Sequence, residues 1–153
     1  MSLNYVNAST LPDPDLRPEF YAGIAGKRFG AWLVDLVIVA FAVVLIVFLS
    51  LFTGLFFLPV LWLAIDFTYR TVTLANGSAT WGQRLMGIEL RDANARRFDL
   101  SRAALHSAGY LLSMSFVLPQ LISVILILCT ANRQSLTDVI LGSAAINKPA
   151  EAY

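Results

Sequence analysis

Arg28, Asp35, Asp66 and Arg70 are the residues of this chain whose types and spacing could do chemistry. They lie in or beside two apolar runs, where a carboxylate costs about 3 kcal/mol or more unless it is paired, protonated or hydrated. Two kinds of chemistry fit such a set: ion or proton handling at the carboxylates, or a closed ion-pair staple. Arg28 and Asp35 are seven residues apart and share a helix face. Arg70 follows Asp66 by four residues and shares a face with it. Asp35 lies eighteen residues before Thr53, and Asp66 lies twelve after Gly54. Six residues of helical rise therefore put Asp66 about 9 Å closer to the turn. Arg70, sixteen residues after Gly54, comes level with Asp35, so it can reach both carboxylates. The four charges sum to zero. Arginine keeps its proton, and a carboxylate held by arginine is a poor proton carrier. The pattern favours a staple that fixes the register of a helical hairpin; conduction would need Asp66 free and hydrated.

The other polar candidates are fewer. His106 is the single histidine and a candidate pH-sensitive group; with no second histidine or cysteine nearby, no metal site is expected. Arg84, Arg91, Arg96, Arg97 and Arg102 form a basic loop suited to anionic headgroups or a partner protein. SATWGQRLMG lacks the spacing and the lysine of a phosphate loop, which argues against nucleotide binding. No nucleophile elbow or Ser/His/Asp spacing supports a hydrolase. No catalytic residue and no cofactor are expected, so the chain reads as non-enzymatic.

The elements that must hold these residues are membrane helices. Of 153 residues, 58% are hydrophobic and 14% charged, with net charge +1; mean hydropathy is +0.69. Soluble domains carry about 25% charged residues, so the composition is that of an integral membrane protein, and it gives no case for nucleic acid. The lone Cys129 cannot form an intramolecular disulfide. The expected class is an all-α membrane protein. Spans at about 31–52 and 55–73 make a tight transmembrane hairpin around Thr53 and Gly54, and a third apolar region, 103–130, carries Pro119 near its middle. Proline removes a donor and should kink or break that region. One kinked helix could cross, or two half-helices could re-enter; Arg133 and Lys148 after the run favour the broken, returning form. Arginine placement puts the N-terminus and the loop 76–102 in the cytoplasm. Met86 to Leu90 alternates as a short strand would, and VILGSAAI near the end reads as a strand or packed segment. The organisation expected is a flexible polar tail (1–19), a membrane domain (20–147) and a C-terminal tail (148–153), with residues 19–28 interfacial and the first run an uncleaved anchor.

Four segments in order resemble the RDD family of small bacterial membrane proteins: AGIAGKRFGAWLVDLVI, WLAIDFTYR, SATWGQRLMGIELRD and NRQSLTDVILGSAAI. The resemblance covers about Tyr21 to Asn147. It implies a multi-pass protein of the bacterial inner membrane, a family without one defined activity, and a link to transport that includes sodium/proton exchange. Two departures stand out. The family commonly opens its third apolar region with arginine, where this chain has His106. It often places histidine before the closing aspartate, where this chain has Thr137 before Asp138. The second removes a proton-handling group and weakens an exchanger reading. The expectation is therefore an accessory or scaffold subunit of a larger membrane complex, or a homo-oligomer, surrounded by lipid. A transporter using Asp35 and Asp66 is the alternative.

Overall fold

A computed structural model describes residues 10–149. Helix α1 runs from Ile24 to Leu49 and α2 from Leu58 to Gly77. Both are long and apolar enough to cross a membrane. At about 1.5 Å per residue they measure roughly 39 and 30 Å, against a hydrocarbon core of about 30 Å. The helix thus starts earlier than expected: residues 24–28, read as interfacial, belong to the first turns of α1. Leu51 and Phe52, both with positive φ, make the turn between the helices together with a short 3-10 segment. The Ser50 hydroxyl accepts from the Gly54 amide at 3.0 Å and closes the turn. Pro59 sits in the first turn of α2, where its missing N–H costs nothing. Val39, Val43 and Val47, four residues apart, pack against Leu61, Trp62, Ile65 and Tyr69. With apolar lipid outside, this seam is held by van der Waals contact rather than by escape from water.

The third apolar region is two helices, α4 (Leu100–Ser115) and α5 (Val117–Cys129), which meet at a 114° bend. The break is at Phe116, in extended geometry, three residues before the proline expected to cause it. Pro119 clashes with a helical carbonyl four residues back, that of Ser115, so α4 stops there and the proline lies in the first turn of α5. At about 20 Å, α5 is too short to span. It heads back: the following helix, α6 (Leu136–Leu141), packs on α4 and α5. The last strand, β2 (Ala144–Asn147), pairs antiparallel with β1 (Ile88–Arg91). The 114° bend fits a broken span or a re-entrant pair, and the chain returns to the end from which α4 starts. VILGSAAI is thus half helix, half strand.

The loop after α2 is folded. Helix α3 (Trp81–Leu85) opens with a capping box between Thr80 and Gln83 and packs on α1. Ile24, Leu74, Ile88, Leu90, Phe98, Ala103 and Ala145 form a core at this end. The tail expected over 1–19 differs where it is described. Thr10 donates to the Ala93 carbonyl (2.9 Å), and the Tyr21 hydroxyl donates to that of Pro12 (2.8 Å). Residues 1–9 and 150–153 lie outside the described part.

Candidate functional site

The four expected charges do not form one set. Asp66 and Arg70 pair as helix spacing dictates, with Arg70 Nε donating to Asp66 Oδ1 at 2.8 Å. Arg70 Nη1 stands 3.8 Å from Asp35 Oδ2, so it does reach both carboxylates. Arg28 belongs elsewhere. Its guanidinium lies 2.8 Å from Asp138, a residue 110 positions away, and not on Asp35. Sequence spacing placed Arg28 and Asp35 on one face, but two helical turns keep them about 10 Å apart along the axis.

Asp35 is instead closed by hydroxyls and backbone. Its Oδ1 accepts from the Tyr69 hydroxyl (2.7 Å) and from the Gly82 amide (2.9 Å); its Oδ2 accepts from the Thr80 hydroxyl (2.7 Å). The loop after α2 therefore folds back onto a carboxylate in α1. Glycine is required at position 82: a Cβ there would run into the Ala31 carbonyl oxygen and come within 2.8 Å of Asp35 Oδ1. Neither Thr80 nor Gly82 is marked by charge, which is why spacing arguments missed them; the Thr80-x-x-Gln83 capping pattern was the available signal.

Asp138 is the second centre. It is fully buried. Around its carboxylate are Arg28, His106 Nε2 (2.8 Å), the Ser135 amide (3.0 Å) and hydroxyl (2.9 Å), and the Ser143 hydroxyl (3.1 Å). Burial alone would raise its pKa, but Arg28, His106 and the Ser135 amide outweigh that and hold it well below the usual carboxylate range. His106 takes its place here, with its ring 5.5 Å from that of Phe98. The cluster ties the start of α1 to α4 and α6. Asp138 and its partners went unseen as a centre because no helix period links positions 28, 106 and 138.

The five loop arginines divide. Arg84 caps backbone carbonyls of Thr73 (3.0 Å) and Ala79 (3.1 Å). Arg91 holds the buried Glu89, and Arg102 lies 3.5 Å from Asp92. Arg96 and Arg97 remain exposed. Arg97 Nη2 also lies 3.9 Å from Glu89 Oε2, so the five cations do not form one free basic surface. No group of three or more His, Cys, Asp or Glu side chains able to hold a metal occurs among the described residues.

Between α1 and the α4–α5 pair is a cleft of about 540 Å³, with Arg28, Asp35, Arg70 and His106 on its polar side and Trp32, Val124 and Leu128 among its apolar walls. A smaller cavity of about 220 Å³ reaches Asp66. Trp32, Asp35, Arg70 and Tyr110 border both. Trp32 Nε1 donates to the Tyr110 hydroxyl at 3.0 Å, and the Arg70 guanidinium stacks 3.8 Å over the Tyr110 ring.

Compared with known proteins, residues 21–142 match the model of the RDD family. No curated protein and no solved structure matches the chain.

Proposed function

The chain belongs to the RDD family, and we propose that it works by packing, as a non-enzymatic accessory or scaffold subunit of a larger complex in the bacterial inner membrane. One observation carries this reading. Both oxygens of Asp35 are taken up by hydrogen bonds from α2 and from the loop, with Arg70 alongside. A carboxylate that accepts three hydrogen bonds beside a guanidinium fixes a fold and has little capacity left for a travelling ion. Two spans and a bent pair enclose little space, so a single copy offers partners a surface more readily than ions a path. The strand end, with Arg96 and Arg97 exposed, is proposed to face the cytoplasm, where cations are retained.

Ion exchange is the second reading. It is favoured by the two cavities that meet at Trp32 and Tyr110, one of them reaching Asp66.

A liposome assay decides between them. Purified protein is reconstituted with a pH-sensitive dye inside and challenged with a proton or sodium gradient. No flux above empty vesicles is the expected result. Flux that disappears in Asp66→Asn would overturn packing as a sufficient account. Orientation is read by cysteine labelling at Arg96→Cys and Thr53→Cys in a Cys129→Ala background. Periplasmic labelling at position 96 in intact cells would invert the topology.

A further inference from the structure

We infer that the cleft between α1 and the α4–α5 pair is a binding site for one anionic phospholipid, with its headgroup at Arg28. The first argument is hydrogen-bond arithmetic. A guanidinium carries five N–H donors. Among the described residues Arg28 has one contact, the ion pair with Asp138, and that contact is not aligned as a hydrogen bond. Its side chain is 14% exposed and borders the cleft. Arg70 borders the same cleft and engages carboxylates through Nε and Nη1 only. Gln83 completes the donor side, because its Oε1 is used by the Thr80 amide and its NH₂ is left over. Asp35, the carboxylate bordering the cleft, has both oxygens engaged. Asp138, which answers Arg28, is fully buried behind it. The cleft thus presents donors and no unengaged carboxylate. The complementary ligand is rich in acceptor oxygens and negatively charged, and arginine holds such groups by paired N–H bonds.

The second argument is depth and wall chemistry. Arg28 is the fifth residue of α1, about 6 Å from its start, which is headgroup depth. From there Trp32, Val124, Ile127 and Leu128 give apolar wall, beside Ser113, Gln120 and Ser123, whose hydroxyls and amide oxygen are engaged with one another. Phe29 and Leu128 are 61% and 58% exposed, so the cleft opens sideways toward lipid. A free phosphate would satisfy the donors and leave those walls uncovered. An acyl chain covers them. This inference concerns a ligand of the chain and does not depend on whether its role is packing or exchange.

Gly26 provides a variant that spares both charge clusters. It borders the cleft, and a Cβ built there meets nothing within 4 Å. Gly26→Phe should fill the cleft without disturbing the fold, since replacing a helical glycine is favourable in itself. The reporter is Trp32, which lines the site, in a Trp62→Phe, Trp81→Phe background. The full chain in mild detergent is titrated with brominated phosphatidylglycerol, then with brominated phosphatidylcholine, and bromine quenching of Trp32 is followed. Saturable quenching by the glycerol lipid at lower concentration is expected. Gly26→Phe should abolish it. Arg28→Gln, checked for folding by circular dichroism, should weaken it about tenfold, as the loss of a charge-assisted bond implies. Equal quenching by both lipids, or quenching that survives Gly26→Phe, would overturn the site. Competition by inorganic phosphate alone would reassign it to a free anion. Protection of Trp32 from both lipids in a dimer would reassign the cleft to a second copy.

Discussion

Asp35 and Asp138 are both buried carboxylates, and they are satisfied in opposite ways. Asp35 sits in a span and is closed mainly by two hydroxyls and a backbone amide. Asp138 sits at the strand end between a guanidinium and an imidazole, with two serines completing its shell. The first cluster joins neighbours along the hairpin and its following loop. The second joins three segments far apart in sequence. The difference teaches that burying charge near a membrane has two workable solutions. Neutral donors supply every hydrogen bond at Asp35, although one guanidinium, that of Arg70, is shared between it and Asp66. At Asp138 a guanidinium stands against the carboxylate, and its side chain keeps some exposure.

The sharpest way to break the comparison is Asp138→Asn. It leaves Arg28 and His106 facing an amide and should cost about 3–5 kcal/mol, the range for breaking a buried pair. Thermal unfolding in detergent measures it. A loss no greater than that of an exposed-arginine variant would show that the cluster is not a clasp.

At the other centre, Gly82→Ala should cost about 1–3 kcal/mol, because the added Cβ meets backbone that must shift. Fluorescence of Trp81, beside the altered residue, should report the displaced loop. A wild-type melting curve would mean that α3 moves off α1 freely.

Asp66→Asn should have a smaller effect, on the order of 1 kcal/mol, since polar interactions between membrane residues average less than that. Arg96→Gln should change stability by less than about 0.5 kcal/mol, as expected of an exposed side chain. Melting both variants side by side tests the order, and equal stability would remove Asp66 from the staple.

The last effect is a pH dependence with a definite sign. The folded pKa of Asp138 is below its unfolded value, near 3.9. Its contribution is therefore complete above about pH 5 and is lost as pH falls toward the folded value. The gap between wild type and Asp138→Asn should narrow below about pH 4. A gap that widens in acid would reverse the assignment of sign.

The hairpin, its turn, the proline break and the Asp66–Arg70 pair were legible in the sequence. All follow from local rules: apolar length, helix period, and the missing N–H of proline. The strand at Met86 to Leu90 was legible as a strand, but its partner strand was not fixed. Composition called for a flexible start, yet Thr10 and Pro12 are held by hydrogen bonds from or to distant residues. The five loop arginines looked alike, although Arg84 holds backbone carbonyls and Arg91, Arg97 and Arg102 lie against carboxylates.

The sequence by itself determined that the chain is a helical membrane protein with two spans and a broken third region, because the hydrocarbon core accepts little else. Tertiary structure alone decided which charge meets which. Arg28 is set against Asp138 because the bent α4–α5 pair returns the chain to the end where α1 begins. Asp35 is closed by Thr80 and Gly82 because α3 packs on α1 so closely that only glycine fits at position 82. These contacts span from 45 to 110 residues, and no periodicity reaches that far.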